Sequence, residues 1–477
     1  MALRVALRKR TTFWTLAVYL LMLAAAVGLF LLIQIHGQSL TAPAAASALN
    51  GVTYSKRIDL LPHVLLALAS VIVIGQLLGK LFSYLGQPPV IGEVVAGILL
   101  GPSLLGADLS AFVLPPEAAP SLGLVAQLGV MLYMFLVGLD LNASQLKHRV
   151  QRTIITSHAS IIVPFLLGAL LALELYPRLS NATVPFTGFA LFMGVAMSIT
   201  AFPVLARILA DHGITRTPLG VIALSCAAID DVTAWCLLAL VVGVVQARVG
   251  DGVLVIVGAL SYVGVMVFLL RPVFARLAAR WEASDMPRSG TVLVFVALLM
   301  SALTTEVIGI HAIFGAFLLG VVIPHDNAVA RNFTRQLEGF VTVVLLPAFF
   351  AYTGMRTRID LLSSGELWLM CGAIIAMAIL GKFGGTLLAA RLTGSSWRDA
   401  TALGVLMNTR GLMELIVLNI GLDLGVISPT LFTMMVLMAL VTTMMASPVL
   451  RWLRLHRPEL TLPGRNRDSA LTTARRS

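Results

Sequence analysis

Two adjacent aspartates, Asp230 and Asp231, lie near the middle of an apolar run that spans residues 217 to 245. A charged side chain at the centre of a membrane helix costs ~2.5–3.5 kcal/mol on insertion scales, so a purely structural pair would be expensive. Neighbouring side chains on a helix point about 100° apart, and the two carboxylates therefore need different partners. Because burial disfavours an ionised carboxylate, such a group has the chemistry to hold either a proton or a metal cation.

Three further charged residues, Lys382, Arg410 and Glu414, lie deep inside apolar runs. Lys382 needs a counter-charge at this depth, and one of the two aspartates is the candidate partner; the alternative is a lysine that snorkels to the interface. Arg410 and Glu414 are four residues apart, which places them on one helix face. This second pair either supports the structure or orients a cation site or a moving domain, and the sequence leaves both interpretations open.

Polar segments interrupt two other apolar runs. The first, Ser198-Ile-Thr-Ala-Phe-Pro203, brings the hydroxyls of Ser198 and Thr200 and a proline that removes a backbone donor. The second is Asn408-Thr-Arg-Gly411. Broken helices are tolerated at membrane depth only where protein or water lines them. Because half-helix ends present backbone dipoles to an ion, and secondary transporters carry such breaks in both of two inverted repeats, the pattern favours an ion-transport site.

The elements that position these residues must be membrane helices. Of the residues, 58% are hydrophobic and 12% are charged, against roughly 25% charged in an average soluble domain. This composition excludes a soluble enzyme. The net charge of +11 does not indicate a nucleic-acid partner here, because in a membrane protein the position of each charge matters more than the sum. Fourteen apolar runs can be separated, at residues 13–34, 60–82, 87–105, 121–141, 153–176, 184–210, 217–245, 252–280, 289–309, 311–324, 338–355, 366–390, 399–421 and 428–453.

The order of these runs predicts an inverted repeat. The two interruptions fall in the sixth and thirteenth runs, which are an odd number of spans apart and therefore cross the membrane in opposite directions. Runs 87–105 and 311–324 are short enough to be re-entrant or tilted. The basic start and the basic tail both belong in the cytoplasm if all fourteen runs span, and most of the 33 Lys and Arg residues then lie on that side.

The division of the chain follows from the same runs. We expect an extra N-terminal transmembrane helix and an external loop over residues 1–59, a transmembrane domain over 60–453 and a short, basic, disordered cytoplasmic tail over 454–477. The first run, followed by the small residues 41–48, also resembles a cleavable signal peptide. A retained helix is our prediction.

Several stretches together resemble the monovalent cation/proton antiporter-2 family over residues 60 to 453. They are Gln87-Pro-Pro-Val-Ile-Gly-Glu-Val-Val-Ala-Gly-Ile-Leu-Leu-Gly-Pro-Ser103, Phe135-Leu-Val-Gly-Leu-Asp140, Ser198-Ile-Thr-Ala-Phe-Pro-Val-Leu-Ala-Arg207, Ile229-Asp-Asp-Val-Thr-Ala-Trp235 and Met407-Asn-Thr-Arg-Gly-Leu-Met-Glu-Leu415. The resemblance implies an all-α polytopic membrane protein of about 13–14 helices with two broken crossing helices. It further implies an ion-carrying core domain that moves against a dimerising scaffold.

The resemblance also implies roles for single residues. Asp231 resembles the family's ion-binding aspartate, which holds a proton or a cation in turn, and Thr200 resembles a threonine near the ion at the helix crossing. Asp230 occupies a variable position that in electrogenic relatives is an aspartate paired with the lysine matching Lys382. Arg410 and Glu414 resemble a charged pair of the second broken helix. The chain departs from the glutathione-gated potassium-efflux members, which carry glutamine at position 230 and a C-terminal nucleotide-binding domain.

On these grounds we expect a homodimeric cation/proton antiporter of the inner membrane, with sodium or potassium ions and protons as its cargo and the lipid bilayer as its surroundings. Asp231, Asp230 and Thr200 are the predicted cation ligands, and Lys382, Arg410, Glu414, Ser198 and Asn408 are predicted to support them. No catalytic residue, cofactor or nucleic-acid partner is expected.

Two functions other than cation/proton exchange also use aspartates within the membrane. An intramembrane aspartyl protease needs its aspartates on different helices, whereas these are adjacent, and the sequence has no Gly-x-Gly-Asp motif. A cation channel or a transport-derived sensor without proton coupling could use the same site, and it stays the alternative.

Overall fold

The computed structural model describes residues 21–41, 60–113, 118–140, 150–181, 184–215, 217–246, 252–282, 287–324 and 327–453. Within these ranges the secondary structure is helical, with no β-strand. The start of the first apolar run, the external loop over 42–59 and the tail over 454–477 lie outside the described residues. The predictions made for the signal peptide, for that loop and for a disordered tail therefore stay predictions.

The described helices match the apolar runs of the sequence. Ten are long and apolar enough to cross a membrane, a further span is bent by 41° at a break, and three shorter apolar helices accompany them. The predicted all-α polytopic fold is therefore confirmed. The long helices are Leu61–Tyr84, Ala119–Asp140, Ile155–Leu179, Phe186–Asp211, Pro218–Val245, Val257–Trp281, Arg288–Ile308, Val329–Leu361, Gly365–Leu392 and Pro429–Trp452; the bent pair is Trp397–Met407 with Leu412–Asp423; and the short helices are Leu21–Gly37, Pro89–Leu100 and Ala312–Val322.

One group of helices, here called the scaffold, packs through glycines. It contains Leu60–Tyr84, Pro89–Leu100, Ala119–Asp140, Arg288–Ile308, Ala312–Val322 and Leu346–Arg356. A Cβ atom at Gly138 would lie 2.3 Å from the carbonyl oxygen of Phe317, and one at Gly97 would lie 2.5 Å from that of Phe350. Such close backbone approach maximises van der Waals contact between helices in lipid, where the hydrophobic effect no longer draws them together.

A second group, here called the core, contains Val150–Leu179, both broken helices, Pro218–Gln246, Gly365–Leu392 and Pro429–Trp452. The first broken helix lies at its centre, with 78% of its most apolar stretch buried, the largest share among the ten long spans. By contrast, the scaffold helix Leu61–Tyr84 is 22% buried and presents an apolar face outward. The core therefore encloses the interrupted helices that the sequence analysis singled out.

Both predicted interruptions are confirmed as breaks. The first half of the first broken helix ends at Ser198, and its second half spans Phe202–Asp211. Pro203 lies in the first turn of this second half, where a backbone N–H would have no helical hydrogen-bond partner in any case. The second consists of Trp397–Met407 and Leu412–Asp423. The two unwound segments cross, because the backbone N–H of Ala201 donates to the carbonyl of Thr409 at 3.0 Å.

Candidate functional site

Asp230 is fully buried, and four side-chain donors lie within hydrogen-bond distance of its carboxylate. Ser157 Oγ donates to Oδ1 at 2.7 Å. Oδ2 lies 2.8 Å from Ser160 Oγ, 3.0 Å from Thr200 Oγ1 and 2.9 Å from Lys382 Nζ. A buried carboxylate is tolerated only when it is paired and hydrogen-bonded, and both conditions are met here. This carboxylate is therefore saturated by donors from three neighbouring helices.

Lys382 is also fully buried, and its counter-charge is Asp230. It lies in a π-helical turn, Leu380–Gly384, inside the long helix Gly365–Leu392. Such turns insert an extra residue into a helix and are frequent at functional sites. The ammonium group donates a second hydrogen bond to the backbone carbonyl of Ser198, at the end of the first half-helix. Lys382 therefore links the aspartate to the negative end of a helix dipole.

Asp231 faces a different environment, as the angle between adjacent helical side chains predicts. Its carboxylate is 3% exposed, and Oδ1 has no hydrogen-bond partner among the described residues. The backbone N–H of Phe202, at the start of the second half-helix, faces this carboxylate. Asp231 thus sits at the positive end of a half-helix with one oxygen free to accept a proton or a cation.

A cavity of about 640 Å³ connects Asp231 to one end of the molecule. Tyr133, Pro203 and Ala228 line its walls, and the exposed residues Asp140 and Glu338 lie at its mouth. A volume of this size holds many water molecules, since each takes about 30 Å³ in the liquid. The buried carboxylate therefore has a route for hydrated ions to one side of the bundle.

The residues predicted to lie at the crossing differ in whether their side chains contact the site. Thr200 Oγ1 lies 3.0 Å from Met407 O as well as from Asp230, and its one proton can serve only one of them at a time. The hydroxyl of Ser198 donates to Val195 O in its own helix at 2.8 Å, so only the backbone carbonyl of Ser198 contacts the site. Asn408 is fully buried, and neither atom of its amide has a hydrogen-bond partner in the described part of the chain.

Arg410 and Glu414 form a second buried ion pair, with Arg410 Nη1 2.8 Å from Glu414 Oε2. The same guanidinium donates to the carbonyls of Ala196 at 2.8 Å and Met197 at 2.6 Å. These carbonyls end the first half-helix and have no intrahelical partner of their own. Arg410 therefore ties the second broken helix to the first, next to the carbonyl that Lys382 contacts.

Sequence reasoning missed part of this site. Ser157 and Ser160 supply half of the donors to Asp230, but hydroxyls are common in membrane helices, and two serines three residues apart gave no signal. Asp140 and Glu338 were not placed at the entrance because each lies near the end of an apolar run, where a carboxylate is ordinary. Among the described residues, no group of three or more His, Cys, Asp or Glu side chains is placed to hold a metal ion. A cation here would need hydroxyl, amide or backbone oxygens beside the carboxylates.

Comparisons with known proteins agree with this architecture. The family model described as sodium/hydrogen exchanger, transmembrane, matches residues 65–455. The Na(+)/H(+) antiporter NhaS4 of Synechocystis is 44% identical over 81% of this chain and 96% of its own length. The Cation/H(+) antiporter 20 of Arabidopsis thaliana is 38% identical over 81% of this chain, and the K(+)/H(+) antiporter 1 of Saccharomyces cerevisiae 36% over 77%. The chain spans about half the length of the plant and yeast relatives, 48% and 44% respectively.

A solved structure shares the fold. The sodium proton antiporter MjNhaP1 from Methanocaldococcus jannaschii superposes with a TM-score of 0.60 at 14% sequence identity, over 82% of this chain and 96% of that one. With a family model that covers most of the chain and a relative above 40% identity across nearly its whole length, the chain belongs to the sodium/hydrogen exchanger family of membrane proteins.

Proposed function

We propose that this protein exchanges monovalent cations, Na⁺ or K⁺, for protons across a membrane by alternating access, with Asp231 binding the proton or the cation in turn. One observation carries the proposal: Asp231 is a buried carboxylate with a free oxygen at the inner end of a cavity of about 640 Å³. The names of the relatives support the reaction class, since they are Na⁺/H⁺, K⁺/H⁺ and cation/H⁺ antiporters.

The geometry gives Asp231 two neutral occupied states. With a proton bound it carries no charge into the protein interior, and with a monovalent cation its charge is balanced again. The unoccupied carboxylate carries a charge that burial penalises. The core therefore moves between its two positions more readily when Asp231 holds a proton or a cation. Proton and cation then compete for one oxygen set, which is the requirement for exchange.

Asp230 and Thr200 are the other proposed cation ligands. In this conformation Asp230 is held by Lys382 and by three hydroxyls, and Thr200 faces Asp230. They reach a cation at Asp231 only if Lys382 withdraws. Such a withdrawal makes the lysine a second group that gains and loses a proton, so we propose exchange of more protons than cations. Transport by such a cycle responds to an imposed membrane potential, and insensitivity to the potential would contradict this stoichiometry.

Proteoliposomes with an internal pH dye test the assignment of Asp231. Addition of Na⁺ or K⁺ to wild-type vesicles should move protons, and Asp231→Asn should reduce that signal at least a hundredfold. Glu366→Gln is the matched control, because this exposed carboxylate pairs with Arg178 on the surface. Exchange by Asp231→Asn at the control rate would refute the assignment, while cation flux without a pH change would support an uncoupled channel.

The scaffold is our candidate for a dimer interface. Its helices Leu61–Tyr84 and Arg288–Ile308 are only 22% and 28% buried and expose apolar side chains. We propose that two copies associate through this face in the inner membrane, with both termini in the cytoplasm. Native mass spectrometry in detergent tests the dimer, and a purely monomeric species would contradict it.

A further inference from the structure

The end of the molecule opposite the cavity is closed by a polar contact between scaffold and core. Arg356, the last residue of the scaffold helix Leu346–Arg356, contacts two residues near the end of the second broken helix. Its Nη2 lies 2.6 Å from Asp423 Oδ1, and its Nη1 donates to Asn419 Oδ1 at 3.0 Å. Asn419 Nδ2 in turn donates to Thr353 Oγ1 at 2.8 Å. We call these four residues the closing contact.

The pocket beside the closing contact is small. It measures about 30 Å³, and Asp231 is not among the residues that line it. Ala126, His311 and Tyr352 line it together with Asn419 and Asp423. The cavity at Asp231 is about 640 Å³. A large cavity therefore reaches Asp231 from one end of the bundle, whereas only a small, shallow pocket lies at the closing contact.

The closing contact is weak enough to break and reform. The side chains of Arg356 and Asp423 are 23% and 38% exposed, and ion pairs that water reaches contribute little to stability. The pair of Arg410 and Glu414 has no exposure, so breaking it would strand a buried charge. The core therefore holds together internally more firmly than it holds the scaffold at this end.

We infer that Arg356, Asn419 and Asp423 form a gate, which separates when the core moves against the scaffold and admits ions from the side opposite the present cavity. The inference rests on the alternating access proposed above. Helix Leu412–Asp423 begins at the crossing beside Asp231 and ends in the closing contact, so movement of the ion site displaces Asn419 and Asp423 from the scaffold.

A cross-linking experiment tests whether the contact must open for exchange. Thr353→Cys and Asn419→Cys are combined in a background with Cys226, Cys236 and Cys371 replaced by alanine, and joined by a short, reducible bis-thiosulfonate reagent. We expect cross-linking to lower the exchange rate at least tenfold and dithiothreitol to restore it. Unchanged exchange by protein verified as cross-linked would overturn the gate.

A matched control pair lies entirely within the scaffold and its loop. Ser103 Oγ donates to Asp360 Oδ1 at 2.7 Å, and neither residue belongs to the core. Cross-linking Ser103→Cys with Asp360→Cys should change the exchange rate by less than twofold. An equal loss in both cross-linked proteins would mean that rigidity in general, rather than the gate, limits transport, and would also overturn the inference.

A labelling experiment tests the gate without measuring transport. Ala126→Cys places a thiol at this small pocket, where Ala126 is 1% exposed. Arg356→Ala should raise its rate of reaction with a membrane-impermeant maleimide at least threefold. Arg358→Ala, which removes an arginine paired with Asp360, should leave the rate unchanged. Equal labelling in the presence and absence of Arg356 would refute the gate even if exchange itself is confirmed, and faster labelling would support it even if exchange fails.

Discussion

Among the described residues, two ion pairs have fully buried side chains, Lys382 with Asp230 and Arg410 with Glu414. Asp230 has three hydroxyl donors besides the lysine. Glu414 depends on Arg410 alone, and its Oε1 has no partner in the described part of the chain. If Lys382 withdraws, the carboxylate of Asp230 therefore keeps its hydroxyl donors. If Arg410 withdraws, the carboxylate of Glu414 has no hydrogen-bond donor among the described residues.

The cationic side chains of the two pairs, Lys382 and Arg410, also differ in how readily they can rearrange. Lysine is a compact charge on a flexible stem that gains or loses its proton when buried, whereas arginine keeps its charge in a rigid fork. Arg410 uses that fork to hold two carbonyls and a carboxylate at once. The Lys382 pair is therefore the one that the proposed transport cycle can rearrange, while Arg410 joins the two broken helices to each other.

The largest loss of stability is expected from Arg410→Ala. It strands Glu414 and frees the carbonyls of Ala196 and Met197, and removing one partner of a buried pair costs about 3–5 kcal/mol. Thermal unfolding in detergent should show the lowest midpoint of the variants considered. Arg410→Ala combined with Glu414→Leu should recover part of the loss, and a midpoint equal to wild type in the single variant would contradict a pinning role.

A smaller loss is expected from Lys382→Ala. The hydroxyls of Ser157, Ser160 and Thr200 remain on Asp230, so the cost should be near that of one hydrogen bond to a charged group, about 1.5–3 kcal/mol. Exchange should become insensitive to membrane potential at the same time. If Lys382→Ala unfolds as readily as Arg410→Ala, the contrast between the two pairs is wrong.

The serines sharpen the comparison further. Ser157→Ala with Ser160→Ala should cost about 1–2 kcal/mol while Lys382 is present, because the ammonium still satisfies Asp230. In the Lys382→Ala background the same change should cost more, and a double-mutant cycle measures the difference. Additive costs would show that the hydroxyls do not substitute for the lysine.

The smallest effect is expected at the surface. Glu366→Gln removes one partner of Arg178, whose side chain is 46% exposed, and an exposed pair contributes about 0–1 kcal/mol. The unfolding midpoint should stay within the error of wild type. A clear shift would show that the ranking by burial does not hold in this protein.

The sequence allowed much of the fold and the centre of the site to be predicted. In a chain with so few charges, Asp230, Asp231, Lys382 and Arg410 stand out because apolar runs exclude charge, and the breaks at positions 198–203 and 408–411 stand out because polar residues and proline interrupt such runs. The serines that saturate Asp230 could not be predicted, since only the packing of helix Val150–Leu179 against the aspartate helix gives them a role.

The closing contact was equally hidden. Arg356 and Asp423 lie at helix ends, where charged residues are expected in any membrane protein. Their significance comes from a scaffold helix and a core helix that meet only in three dimensions. The pairing of Lys382 with Asp230 rather than with Asp231 followed only from the family resemblance, because a helical spacing of one residue leaves both carboxylates as candidate partners.

Proton release on cation binding tests the central claim most directly. Purified protein in weakly buffered detergent solution, below the pH at which exchange is fastest, should release protons when Na⁺ or K⁺ is added and none when choline is added. Asp231→Asn should abolish the release, while Glu366→Gln should retain it. Proton release of wild-type size from Asp231→Asn would contradict the assignment of Asp231 as the residue that holds the proton or the cation.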